Sequence, residues 1–200
     1  MPTSVRENYE RIRSEVGPGV TVVAATKYAG LEDLAVLAEA GVEVVGENRA
    51  QDLAAKHERF GDRFRWHFIG HLQSRKAKDV SKICELVHSL SSLSAAKRLT
   101  LPALVEVNLS GEEAKSGIPR EGLAAFLDEV AALGVEVRGL MTMPPLAGDP
   151  ERSRPYFREL RELAGEHGLS ELSMGTSQDY RVAAEEGATL VRVGSVLLGR

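Results

Sequence analysis

Short apolar runs alternate with amphipathic stretches along the whole chain. The apolar runs are Val20–Tyr28, Val42–Asn48, Trp66–Gly70, Leu86–Leu90, Ala103–Leu109, Val135–Met143, Glu171–Gly175 and Thr189–Leu198, eight in all. Their interiors are rich in Val, Ile and Leu with little alternation, the signature of strands covered on both faces. Helical spacing fills the gaps between them. In Glu121–Leu133, Leu123, Phe126, Leu127 and Val130 fall at i, i+3, i+4 and i+7, with Pro119 just ahead and Gly134 behind. Phe157, Leu160, Ala164 and His167 repeat the stripe in Pro155–His167, and Gly168 follows. Leu31–Ala40 stops at Gly41 and Tyr180–Glu186 at Gly187, while Val5–Val16 forms a leading helix before the first strand.

Strand, helix, glycine, strand is the rhythm of βαβ units, so the fold class is α/β with a parallel sheet. Eight such strands close into a (β/α)8 TIM-type barrel, with an open doubly wound sheet as the alternative. The strand count favours the barrel, because open sheets usually have fewer strands. No low-complexity linker divides the sequence, and residues 1–200 read as one domain. A barrel also says where to look: its sites lie at the C-terminal ends of strands, with phosphate sites common after the seventh and eighth.

Composition narrows the class. The 200 residues carry 25 Lys and Arg against 29 Asp and Glu, a net charge of −4 that argues against a nucleic-acid partner. No apolar run approaches the roughly 18 residues that a membrane helix needs. Met1–Glu15 is polar and charged, unlike a secretory signal. The single cysteine, Cys84, fits a reducing compartment. The expectation is a compact cytoplasmic domain.

Polar residues where the apolar runs end are the candidates for chemistry. Lys27 follows Val22–Thr26 and points into the mouth of a barrel, where desolvation makes a lysine amine nucleophilic toward aldehydes. A lysine that snorkels to solvent is the other reading. Asn48, in Gly46-Glu47-Asn48-Arg49, either contacts a ligand or caps the next helix. His67 and His71 are four apart around Gly70, and no third ligand recurs at a metal spacing, so no metal is expected. Ser74-Arg75-Lys76-Ala77-Lys78 reads as the solvated start of a helix.

The last two runs carry the strongest signal. Ser173-Met174-Gly175-Thr176-Ser177-Gln178-Asp179 and Val191-Arg192-Val193-Gly194-Ser195 both place glycine and hydroxyl residues at a strand-to-helix turn. Free backbone N–H groups and hydroxyls there suit a phosphate, although Ser177 and Asp179 also suit a helix cap. Arg192 lies between valines, so its guanidinium is buried and needs an acceptor, either a ligand atom or a carboxylate such as Glu106. Neither a GxGxxG nor a Walker motif is present.

Ala25-Thr26-Lys27, Gly46-Glu47-Asn48, Trp66-His67-Phe68-Ile69-Gly70, Gly139-Leu140-Met141, Leu172-Ser173-Met174-Gly175 and Val191-Arg192-Val193-Gly194 together resemble the pyridoxal phosphate homeostasis proteins, from about Val20 to the C-terminus. That family shares its fold with the N-terminal barrel of alanine racemase. The resemblance implies a barrel that holds pyridoxal 5′-phosphate (PLP), with Lys27 as the Schiff-base lysine. It places Ser177, Gly194 and Ser195 at the phosphate, with Thr176 as an added donor, and Arg192 beside the pyridine nitrogen. Asn48 falls near the ring, and Met141 and Met174 at pocket-wall positions that suit the core equally. Thr176 stands where methionine is usual, Tyr28 where a small residue or threonine is usual, and Leu198 where phenylalanine is usual.

Two functions follow from the resemblance. One is a PLP carrier that buffers the cofactor and passes it to apo-enzymes. The other is a PLP-dependent amino-acid racemase, which needs two acid/base groups on opposite faces of the substrate Cα. Racemases take the second from a tyrosine of another domain, and here the sequence ends at Arg200, directly after the eighth run. Tyr28 is the only nearby tyrosine in sequence, and its side chain is expected on a different face from Lys27. The carrier, as a monomer, is the expectation. A lysine aldolase of the same fold would leave Arg192 unexplained.

Overall fold

Ser4 begins the first helix with a reciprocal cap, its hydroxyl accepting from the Glu7 N–H while the Glu7 carboxylate accepts from the Ser4 N–H at 2.7 Å. That helix, α1, runs over Val5–Val16. A computed structural model describes residues 4–112 and 116–200. After α1 the order is β1 (Thr21–Ala25), α2 (Leu31–Glu39), β2 (Val44–Glu47), α3 (Ala50–Phe60), β3 (Arg65–Phe68), α4 (Ala77–Ser81) and β4 (Leu86–Leu90). Then come α5 (Leu93–Ala96), β5 (Ala103–Asn108), β6 (Ile118–Pro119), α6 (Leu123–Ala132), β7 (Val137–Met141), α7 (Arg154–Glu166), β8 (Glu171–Thr176), α8 (Tyr180–Glu185), β9 (Leu190–Val193) and α9 (Ser195–Leu198).

Every strand pairing is parallel, in the order β4-β3-β2-β1-β9-β8-β7-β5, and a β4–β5 pairing joins the two ends. The sheet is therefore a closed eight-stranded barrel, and the open alternative falls. The ninth strand, β6, is two residues long and only extends the C-terminal end of β5. The crossover between β4 and β5 carries a single helical turn. Two sequence boundaries shift for local reasons. The first run yields a strand only to Ala25, leaving Lys27 and Tyr28 in a turn. The last run breaks at Gly194 (φ −126°, ψ −78°) into β9 and α9.

Strand periodicity divides the side chains into two layers. Val23, Val44, Leu86, Leu104, Met141 and Leu190, with Ile69, pack inside the barrel. The larger core lies between barrel and helices and includes Phe68, Leu53, Val105, Phe157 and Met174. Cys84 belongs to that outer layer, and burial pushes its thiol up to about 12, so it is a packing group. At Gly139 a Cβ would sit 1.7 Å from the Glu171 carbonyl oxygen, so only glycine lets β7 and β8 approach this closely. No helix among the described residues is long and apolar enough to cross a membrane.

Candidate functional site

The C-terminal ends of β1, β2, β8 and β9 bring Lys27, Asn48, the Thr176–Ser177 turn, Arg192 and Gly194–Ser195 to one mouth of the barrel. Each position has a local cause.

The ends of β1 and β2 are tied by a buried ion pair. Glu47 is fully buried and takes the Lys56 ammonium from α3 at 2.5 Å, the Thr26 hydroxyl at 2.9 Å and the Asn48 N–H at 2.7 Å. Lys56 also donates to the Thr26 carbonyl at 2.7 Å. The backbone just before Lys27 and at Asn48 is thereby fixed. Asn48 does not cap α3, because Arg49 holds that position, and its half-buried amide has no partner in the described hydrogen bonds. A Cβ on Gly70 would lie 2.2 Å from the Asn48 carbonyl oxygen, so the glycine lets the β3 loop close over Asn48.

Lys27 is exposed at the rim rather than desolvated, which is the solvated of the two readings its sequence position left open. Its ammonium lies 4.7 Å from the centre of the Tyr28 ring. Tyr28 is 80 % exposed, and a hydrogen bond from Lys27 together with its charge pulls the phenol below its ordinary range. The two side chains therefore share one side of the mouth, contrary to the expectation that the turn separates them. A turn, unlike a strand, does not alternate its side chains.

On the neighbouring strand ends, where β9 pairs with β1, the Ser177 hydroxyl accepts from the Gly194 N–H at 3.0 Å and the Val196 N–H at 3.4 Å. It pins the β8 turn to the start of α9 and keeps its own proton free to donate. The Ser195 hydroxyl is exposed at the same turn. Thr176 gives its hydroxyl proton to Asp179 Oδ1 at 3.1 Å, and its N–H donates to the same oxygen at 2.7 Å, so Asp179 shapes this loop. Met174 is fully buried in the layer facing the helices, so its side chain lines no part of the mouth, whereas Met141 lies inside the barrel. One residue of strand register separates the two outcomes.

Arg192 is 5 % exposed inside the barrel. It donates to Ser173 Oγ at 2.5 Å and to the Thr142 carbonyl at 3.1 Å. Glu106 attracts it electrostatically but makes no ion pair with it, which removes the internal salt bridge as its explanation. Burial lowers its pKa to about 10, so it stays cationic at neutral pH. Burial also raises the Glu106 carboxyl, which accepts from Ser116 at 2.6 Å. Two of the five guanidinium N–H groups are engaged in the described bonds. A buried cation with unspent donors is built for an acceptor that arrives from outside.

His88 and Ser173 escaped sequence reading, as did Glu47 and Lys56. His88 lies in Leu86-Val87-His88-Ser89-Leu90, and only the inward period-two register of β4 signals its place. His67 points inward from β3 while His71 is exposed on the following loop, so the pair shares no site.

Residues 2–200 match the family described as "Alanine racemase, N-terminal domain". The chain is 39 % identical over 215 residues to the pyridoxal phosphate homeostasis protein of Aquifex aeolicus, covering 98 % of this chain and 94 % of the relative. The structure of PipY from Synechococcus elongatus PCC7942 with PLP bound superimposes with a TM-score of 0.89 at 31 % identity, covering 98 % of this chain and all of PipY (100 %). Alanine racemase of Corynebacterium glutamicum shares the fold alone, with 17 % identity and a TM-score of 0.76 over 96 % of this chain and 59 % of the racemase. Fold and family match together define a barrel of the alanine racemase N-terminal class. Within that class the chain belongs to the pyridoxal phosphate homeostasis protein family.

Proposed function

We propose that this chain binds PLP at the C-terminal mouth of the barrel and acts in intracellular PLP homeostasis as a carrier, holding the cofactor and releasing it to apo-enzymes. The buried Arg192 guanidinium, with unspent donors and no carboxylate paired to it among the described residues, carries this reading. PipY with PLP bound supports it by likeness of fold and sequence.

The residues present fit the cofactor. Ser177, Gly194 and Ser195 offer hydroxyl and backbone donors for the phosphate, and Thr176 holds their loop through Asp179. Asn48 offers its free amide near the ring, and Arg192 its remaining donors to the pyridine nitrogen. When bound, PLP supplies an electrophilic aldehyde that a primary amine takes up reversibly. Lys27 is that amine. It is reached from solvent at the rim, beside the Tyr28 ring. Arg192, still charged at neutral pH, would face the nitrogen and keep it unprotonated, which would weaken the ring as an electron sink.

Racemisation requires a second acid/base group facing Lys27 across the substrate. Of the four tyrosines, Tyr9, Tyr156 and Tyr180 lie on the outer helices α1, α7 and α8, and Tyr28 sits beside Lys27 itself. This supports a carrier over a racemase.

Purified protein titrated with PLP should develop a visible absorption band that Lys27→Ala does not show. Protein that takes up no PLP overturns the binding reading. Loss of α-deuterium from L- or D-alanine at enzyme-like rates overturns the carrier in favour of the racemase.

A further inference from the structure

A line of buried polar side chains crosses the interior of the barrel and serves no need of the fold. From the mouth downward, Arg192 Nη1 donates to Ser173 Oγ at 2.5 Å, Ser173 Oγ lies 2.7 Å from His88 Nδ1, and His88 Nε2 lies 2.9 Å from His67 Nδ1. Ser173 and His88 are fully buried and His67 is 3 % exposed. His67 also lines a polar pocket of about 180 Å3 at the other, N-terminal end of the barrel, among Thr21, Arg65, Glu85, Glu171 and Thr189. The contact partners come from four strands, β9, β8, β4 and β3. Apolar side chains would fill this space at lower cost, because each buried polar group needs a partner.

Hydrogen counting gives the line a direction. A guanidinium only donates, so Ser173 Oγ must accept from Arg192. The hydroxyl has one proton, and the only acceptor in the described bonds is His88 Nδ1. His88 therefore carries its proton on Nε2 and gives it to His67 Nδ1. His67 then carries its proton on Nε2, an atom with no protein partner in the described bonds, next to a pocket whose polar lining holds the Glu85 and Glu171 carboxylates, the Thr21 and Thr189 hydroxyls, Arg65 and Arg138. The reverse order would leave the Ser173 proton buried without an acceptor. Both imidazoles are held neutral by burial first; Arg65 and Arg138 add to it at His67, which falls to about 3, and His67 and then Arg192 at His88, which falls well below its ordinary range.

Resting on the PLP reading of the mouth, we propose that Ser173, His88 and His67 are positioning residues. They form a one-way hydrogen-bond chain, anchored at the N-terminal pocket, that fixes and polarises the Arg192 guanidinium as the partner of the cofactor's pyridine nitrogen. A chain of donors aligned in one sense strengthens each link, so its far end acts on Arg192 without touching the ligand. Thr142 holds the second guanidinium nitrogen through a backbone carbonyl. Orientation is therefore shared between one invariable contact and one that side chains set.

Two measurements test this on the full chain. Imidazole nitrogen NMR of the PLP-free protein should show both histidines as the neutral Nε2–H tautomer, and an Nδ1–H tautomer at either position overturns the chain. PLP titration then compares Ser173→Ala, His88→Leu and His88→Asn with the parent. Ser173→Ala and His88→Leu should each weaken PLP binding about tenfold or more and shift the absorption maximum of the bound cofactor. His88→Asn keeps an acceptor for Ser173 and should recover most of the affinity. Folded Ser173→Ala and His88→Leu proteins with parental affinity and spectrum overturn the positioning role. A parent that binds no PLP instead overturns the reading of the mouth, and the tautomers still decide the chain.

Discussion

Arg192 does its work through geometry more than charge. Its planar fork reaches Ser173 Oγ and the Thr142 carbonyl at once, and a lysine ammonium at the same position reaches one of them at best. Arg192→Lys should therefore leave a folded protein whose PLP affinity falls about 10- to 100-fold, the loss of one charge-assisted hydrogen bond or more. A titration of the two proteins side by side checks it, and equal affinities would count against the fork. Residues of this kind are legible in sequence because a cation between valines demands a reason. Lys27, Asn48 and Ser177 stand out likewise as polar groups at the ends of apolar runs. Met174 stays open between wall and core in sequence, because the run fixes a strand but not which parity faces inward, and the structure places it in the core. His88 and Ser173 stay hidden for another reason: their partners sit across the barrel, on strands 85 residues apart in sequence.

Between elements, the Glu47–Lys56 pair fixes how β1 and β2 present the mouth. Lys56→Met leaves the fully buried Glu47 carboxylate without its counter-charge and should cost about 3–5 kcal/mol. Thermal unfolding should show this as a drop of roughly 6–20 °C for a domain of this size. Adding Glu47→Leu to Lys56→Met should recover most of that stability but leave the turn before Lys27 less fixed. A single variant as stable as the parent contradicts the account. Helix periods and terminal glycines give the elements to within a residue or two, as at Val5–Val16 and Leu31–Glu39. Closure is legible only through the count of eight runs, because the decisive β4–β5 contact spans a crossover with one helical turn.

At the scale of the whole molecule, the buried histidines make folding sensitive to acid. Both are neutral in the folded state, His67 with its pKa lowered to about 3, while the unfolded chain protonates them near pH 6.5. The unfolded state thus binds more protons below that pH, and stability present above about 6.5 is lost as pH falls toward 3. Between pH 7 and 5 the loss should approach about 2 kcal/mol for His67, and His88 adds to it in the same direction. Denaturant unfolding at pH 7, 6 and 5 measures it, and a His67→Asn, His88→Asn double variant should flatten the slope. A parent whose stability is constant over that range contradicts the neutral chain. The same interior that imposes this cost holds Arg192 below the mouth, at whose rim Lys27 is the amine proposed to take the aldehyde. The central claim, that PLP is held through Lys27, is tested most directly by loading the protein with PLP, reducing it with borohydride and mapping its peptides. The account predicts the reduced cofactor on Lys27, and a label on another lysine, or on none, would contradict it.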